Sequence, residues 1–271
     1  MKNINFSIGI IGCGNMGSAI LRGLLSKGVV HAESILLNDI DKRKLEDLSL
    51  TSGCSKADLD NLVPNSDYII IAVKPQDSEK LLKTIASMTV NHTIISVMAG
   101  ITIEKISKIM GVHTPIVRVM PNMGALVKHS MTAIAFNQYV SNRDIVFKIF
   151  SSIGSVLEVE EKDMDAVTAV SGSGPAYLFY MASACFESAK KMGLKESVAR
   201  ELIVETLYGA STILRHEKIK SFNDLIAGVA SKGGTTEAAL NVFNKKGLND
   251  IFIDALSQAK KRSEELNQKI V

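Results

Sequence analysis

The stretch Phe6-Ser7-Ile8-Gly9-Ile10-Ile11-Gly12-Cys13-Gly14-Asn15-Met16-Gly17 decides the fold. A short β-branched run leads into three glycines with GxGxxG spacing, and the next residues, Ser18-Ala19-Ile20-Leu21-Arg22-Gly23-Leu24-Leu25, have the apolar period of a helix. In such a strand–turn–helix the first glycine allows a tight turn and the second lets a pyrophosphate approach the backbone. The third lets the helix pack close to the strand. The unpaired amides and dipole at the helix start favour the negative charge of that pyrophosphate. A glycine-rich turn without a ligand is the alternative, and the agreement of spacing, strand and helix argues against it.

Outward from this stretch, short apolar runs alternate with helical periods. Strands are predicted at Phe6–Ile11, Ile35–Asn38, Tyr68–Val73, Thr93–Val97, Ile116–Met120, Thr132–Phe136 and Ser155–Glu158. Helices are predicted between them, at Met16–Lys27, Asp41–Leu50, Asp77–Met88, Ile103–Met110 and Asn142–Ser152. This alternation implies an α/β Rossmann fold, a doubly wound parallel sheet. After about residue 160 strand signals stop. Helical periods follow at Asp163–Val170, Ala176–Met192, Lys195–His216, Phe222–Val229, Thr236–Asn244 and Asn249–Asn267, with breaks at Gly172–Pro175, Gly193 and Lys232–Thr235. The expected organisation is a dinucleotide-binding domain over 1–160 and an all-α domain over 161–271. The run from Tyr177 to Phe186 is apolar on nearly every face, which predicts burial in a large core or against another chain. The helical domain is therefore expected to form a dimer interface.

The chain has 271 residues, a formal charge of +3, no Trp and 5% aromatics, which suits a small anionic ligand better than a nucleic acid. Cys13, Cys54 and Cys185 are far apart and have no metal-ligand spacing, so neither a disulfide framework nor a metal site is expected. A reducing, cytoplasmic setting fits. The apolar part of Met1–Gly14 is short and interrupted by Asn and Ser, unlike a secretion leader, and no apolar run is long enough to span a membrane.

Asn38-Asp39 ends the second predicted strand, where an acidic side chain accepts hydrogen bonds from a ribose diol. Lys42 and Arg43 follow it, and the residues leave the choice between NAD and NADP open. A second glycine turn, Ser231-Lys232-Gly233-Gly234-Thr235-Thr236, directly precedes a helix. Adjacent glycines and a helix start make an anion nest suited to a substrate carboxylate, with the Ser and Thr hydroxyls as further donors. An ordinary capped helix start explains the same residues equally well. Pro175 suits a helix first turn, and the small residues of Ser171–Gly174 read as a kink or close crossing. Tyr177, just beyond, has either a cleft-facing phenol or a role in packing.

IGIIGCGNMGSAI, IIAVKPQ, VRVMPNMGALV, VSGSGPAYLF and VASKGGTTEAAL together resemble the pyrroline-5-carboxylate reductase family over essentially the whole chain. The resemblance implies a Rossmann domain and a helical dimerisation domain, often assembled into pentamers of dimers. It also implies reduction of the cyclic imine 1-pyrroline-5-carboxylate to L-proline by NADPH, with NADH as the other nicotinamide donor. Ile11, Gly12, Cys13, Gly14, Asn15, Met16 and Gly17 would hold the pyrophosphate, and Ala72, Val73, Lys74 and Pro75 would lie along the cofactor. Asn122 would face the cleft, and Ser231, Gly233, Gly234, Thr235 and Thr236 would bind substrate, with Thr236 near the ring nitrogen and Tyr177 second to it as proton donor. Three departures stand out: Lys232 where the family has proline, Met123-Gly124 where it often has Thr-Pro, and Ile40 where many bacterial members have arginine. The first two bear on the substrate and the third on NADPH.

Two other readings compete. A cyclic-imine reductase with a different ring substrate accommodates Lys232 and Met123-Gly124, and a non-catalytic dinucleotide sensor would have no need of the second nest. A 3-hydroxyacid dehydrogenase would need a catalytic lysine and asparagine, which Val170–Met181 does not contain.

Overall fold

The computed structural model describes residues 6–89, 91–217 and 219–269. Residues 1–5, which opened the stretch weighed above as a leader, lie outside the described residues. Strands β1 (Ile8–Ile11), β2 (Ile35–Asn38), β3 (Ser55–Lys56), β4 (Tyr68–Ile71), β5 (Thr93–Ser96), β6 (Ile116–Met120), β7 (Ser130–Phe136) and β8 (Gly154–Glu158) form one sheet. Its order is β3-β2-β1-β4-β5-β6-β7-β8. The interleaved helices are α1 (Asn15–Ser26), α2 (Lys42–Ser52), α3 (Leu59–Leu62), α4 (Ser78–Ala86), α5 (Ile103–Met110) and α6 (Arg143–Ser151).

Alternation along the strands divides the core in two. Ile8, Ile10, Tyr68 and Ile70 pack with Ile20, Leu21 and Leu24 of α1 and Phe150 of α6. Ile11, Ile69 and Ile71 pack with Leu82 and Ile85 of α4 and Ile106 of α5. Both faces are covered, which is why IGII and YIII are apolar throughout. The chain runs outward one way through β2 and β3, then returns to β4 and continues the other way. The reversal leaves a switch point at the carboxyl ends of β1 and β4, where such sheets bind ligands.

The structure departs from the sequence reading in three places. β3 and α3 had no counterpart in it, because a two-residue strand and a single isolated helical turn carry no readable period. β6 and β7 are antiparallel, since the link over 121–129 is a tight turn, too short for a parallel crossover. Thr168–Gly172 is a π-turn that leads directly into α8 (Gly174–Lys191), preceded by α7 (Met164–Val167), so helical structure runs into the expected Gly172–Pro175 break. The run from Tyr177 to Phe186, expected to be buried in a large core or against another chain, is exposed in the single chain, with Phe179 61% exposed and Tyr180 78%, which leaves the second alternative, an interface.

The remaining helices are α9 (Glu196–His216), α10 (Phe222–Val229), α11 (Thr235–Lys245) and α12 (Leu248–Lys269). Contacts group the chain into two units, one up to Pro175 together with Ala259 onward, the other Ala176–Gln258. In the first unit Arg118 of β6 is almost fully buried, with Asp165 Oδ1 at 3.4 Å and Glu161 Oε1 at 3.5 Å. Asp165 also accepts from Ser263 Oγ at 2.7 Å and from Asn267 Nδ2 at 2.8 Å. A buried charge needs this kind of compensation, so the end of α12 is fastened to the sheet unit by polar contacts.

The second unit has only Ala189 and Ala199 as buried apolar residues among those described, while Leu178, Phe179, Leu202, Tyr208 and Phe243 are exposed. Such a surface requires a cover. A Phe179→Asp/Tyr180→Asp variant is expected to sediment as a single chain in analytical ultracentrifugation and to melt several degrees lower than the parent. No helix of the described residues is long and apolar enough to cross a membrane.

Candidate active site

The glycine loop joins β1 to α1 between the ends of the neighbouring strands. Gly12 N–H donates to the Asn38 carbonyl and Ala72 N–H to the Ile11 carbonyl, each at 2.8 Å. The three glycines have separate reasons. Gly12 has φ +105°, and a Cβ there would lie 2.6 Å from the Ala72 carbonyl oxygen. A Cβ on Gly17 would lie 1.9 Å from the Gly12 carbonyl oxygen. Around Gly14 no atom lies within 4 Å of that position. Two glycines therefore answer to the protein itself, and the third faces open space at the start of α1. That start has no side-chain cap and no acidic residue in its first turn. This opening fits a pyrophosphate.

Asp39 has a structural role that the sequence reading missed. Its Oδ2 accepts from Cys13 N–H at 2.5 Å and its Oδ1 from Asp41 N–H at 2.7 Å, so it fastens the glycine loop to the start of α2. The Asn38 side chain donates to the Ala57 carbonyl at 2.7 Å. Burial, reinforced by the negative Asp39, pushes the Cys13 thiol up to about 12, so it stays protonated at neutral pH and is no nucleophile. Ala72, Val73, Lys74 and Pro75 leave β4 beside Gly12, with Pro75 opening a short 3-10 turn. Lys42 and Arg43 make no ion pair among the described residues, and Ile40 is 91% exposed.

Asn122 ends β6 and caps the turn Met123–Val127. Its Oδ1 accepts from Gly124 N–H at 3.0 Å, and its Nδ2 donates to Ser171 Oγ at 3.3 Å. Ser171, which the sequence reading placed in a small-residue kink and gave no part in the site, lies in the π-turn, a distortion frequent at functional sites. Gly172 lets that turn close on Met120, whose methyl would be 2.4 Å from an added Cβ. The Met123-Gly124 departure has a local cause, because a Cβ on Gly124 would be 2.5 Å from the His129 carbonyl oxygen.

In the second unit, Ser231, Gly233 and Gly234 form the turn before α11, and Thr235 and Thr236 are the first two residues of that helix. Gly233 has φ +74°, and Gly234 N–H donates to the Ser231 carbonyl at 2.9 Å. Ser231 Oγ would be 2.4 Å from a Cβ on Gly234. Gly233 N–H donates to Glu237 Oε2 at 2.6 Å, a contact that only the three-dimensional structure reveals. Lys232 is exposed. Tyr177 is half-buried on α8, and among the described residues no hydrogen bond joins its hydroxyl to this turn.

The fold and loop define a dinucleotide-binding oxidoreductase with a helical partner unit. Residues 7–100 match the family described as NADP oxidoreductase coenzyme F420-dependent, and residues 161–266 match Pyrroline-5-carboxylate reductase dimerisation. Pyrroline-5-carboxylate reductase 2 of Bacillus subtilis is 33% identical over 265 residues, covering 96% of this chain and 95% of the relative. The reductase of Methanosarcina acetivorans is 33% identical over 98% of this chain and 99% of its own. The Coxiella burnetii reductase structure superposes with a TM-score of 0.89 at 31% identity, covering 96% of this chain and 98% of the other. The Plasmodium falciparum structure with NADP bound superposes at 0.88 and 27% identity, covering 97% and 98%. The chain belongs to the pyrroline-5-carboxylate reductase family, and its dimerisation segment marks it as a homo-oligomer.

Gly14→Ala and Gly17→Ala separate the two kinds of glycine. Gly17→Ala is expected to abolish soluble folded protein or to lower its melting temperature sharply. Gly14→Ala is expected to melt within a few degrees of the parent and to bind NADPH about tenfold more weakly in a fluorescence titration. Cys13 is expected to resist iodoacetamide at pH 8 until the protein is unfolded, read by peptide mass.

Proposed function

We propose that this chain reduces 1-pyrroline-5-carboxylate to L-proline, the last step of proline biosynthesis, with NADPH as its preferred hydride donor. The observation that carries this reading is the pairing, in one chain, of an open-faced Gly14 at a dinucleotide loop with a Ser231–Thr236 anion turn. Ile11–Gly17 hold the pyrophosphate on the α1 amides, and Ala72–Pro75 line the cofactor. Asn38 and Asp39 border the adenosine ribose. Lys42 and Arg43, with no ion-pair partner among the described residues, stand near enough in sequence to meet a 2′-phosphate. NADPH, when bound, supplies the hydride.

The substrate carboxylate binds the turn of Ser231, Gly233, Gly234, Thr235 and Thr236, and Asn122 is assigned to substrate binding as well. The imine carbon accepts hydride best when its nitrogen is protonated, because the C=N π electrons then move onto a cationic nitrogen. Hydride adds to carbon, the nitrogen keeps the proton and a secondary amine results. The protein must hold that carbon about 3–3.5 Å from the donor carbon. Thr236 hydrogen-bonds the ring nitrogen, with Tyr177 as the second candidate. We place the functional boundary near residue 160, and we assign the assembly as a dimer that builds a decamer, acting in the cytoplasm. No partner other than further copies of the chain and small molecules is invoked, and neither nucleic acid nor membrane has a role.

Lys232 and Met123-Gly124 support one second reading, turnover of a different cyclic imine carboxylate. Absorbance of reduced nicotinamide, followed with pyrroline and piperideine carboxylates and with both NADPH and NADH, decides between them. Fastest loss of NADPH with the five-membered ring and formation of proline is the expected result. Inactivity with every imine despite dinucleotide binding would overturn the enzymatic reading. Thr236→Ala is expected to lower kcat by about 10²-fold and leave cofactor affinity unchanged; an unaltered kcat removes Thr236 from the reaction.

A further inference from the structure

We propose that Glu237 sets the charge selectivity of the Ser231–Thr236 turn, making it a site for a zwitterion rather than for a simple anion. The inference rests on reading that turn as the place where the substrate carboxylate binds.

The two glycine amides best shaped to receive an anion are already engaged. Gly233 N–H donates to Glu237 Oε2 at 2.6 Å and Gly234 N–H to the Ser231 carbonyl at 2.9 Å. A ligand carboxylate is left with the first-turn amides of α11, which lack intrahelical acceptors, and with the hydroxyls of Thr235 and Thr236. Neither hydroxyl makes a hydrogen bond among the described residues.

Glu237 itself is partly buried and pinned in the turn. No Lys, Arg or His among the described residues lies within 4.0 Å of its carboxylate, and Lys232 of the same turn makes no ion pair either. A carboxylate with no ion-pair partner among the described residues therefore stands next to the amides that must hold a second one. A ligand that is only an anion is repelled there. A ligand whose carboxylate sits one ring bond from a cationic nitrogen meets Glu237 with its own positive charge and is retained. The protonated cyclic imine carboxylate has this form, and it is also the form that accepts hydride. Glu237 thus favours binding of the reactive protonation state.

A glutamate near the start of a helix that reaches back to a preceding amide also stabilises that start, through capping and the dipole. A cap alone is indifferent to whether the ligand ring contains nitrogen, and the test uses this difference. Calorimetric titration of the NADPH-bound protein compares L-proline, a zwitterion, with cyclopentanecarboxylate, which has the same ring and carboxylate but no nitrogen. The parent is expected to prefer proline by at least about tenfold. Glu237→Gln keeps an oxygen acceptor for Gly233 N–H and removes the charge; it is expected to reduce that preference about tenfold, chiefly by tightening cyclopentanecarboxylate. Equal binding of the two ligands by the parent overturns the proposal without any variant, and so does an unchanged ratio in E237Q. If neither ligand binds, the carboxylate reading of the turn fails and the inference falls with it. If both bind equally, only the role of Glu237 fails.

Discussion

The contact between Gly17 and the carbonyl of Gly12 is the constraint on which the sheet unit depends. At that crossing not even a methyl group fits, so α1 starts directly on top of the end of β1. Closeness there turns the helix amides toward the switch point and brings Ala72 and Asn38 against the loop. Asp39 then fastens the loop to the start of α2 through two backbone amides. With Gly12 and Gly17 closed against backbone, Gly14 is the glycine of the loop that faces open space.

The sheet unit was legible because its physics is local. Parallel strands buried on both faces read as short apolar runs, and the helices between them carry one apolar stripe each. A two-residue strand and a single isolated helical turn are too short to show a period, so β3 and α3 were missed. The reversal between β6 and β7 was missed for another reason: strand direction there depends on a turn that closes only because position 124 lacks a side chain. Among the site residues, the glycine motif could be found from spacing alone. The contacts of Asn122 with Ser171 and of Gly233 with Glu237 could not, because no sequence period links a strand end to a π-turn or says which acceptor an amide takes.

The helical unit presents the opposite situation. Its sequence is rich in large apolar residues, yet its own folded chain buries almost none of them. Most helical stability comes from packing an apolar face, so the cover for the faces of α8 and α9 has to come from another surface. Membership of a family with a dimerisation segment supplies one, a second copy of the chain. The same reasoning explains why the apolar run from Tyr177 is exposed in the single chain, as an interface face would be: hydrophobicity predicts burial, and it does not say by which molecule.

The path of the chain through its two units carries a mechanical implication. Ala176–Gln258 leaves the sheet unit and returns to it, and the returning strand of sequence is fastened by Ser263 and Asn267 to the carboxylate that pairs with buried Arg118. The helical unit is thus an insertion within the other unit, held at both ends, and not an appendage on a single linker. The chain therefore enters and leaves the helical unit through one and the same sheet unit, and the point of return is closed by a single part-buried carboxylate that serves Arg118, Ser263 and Asn267 together.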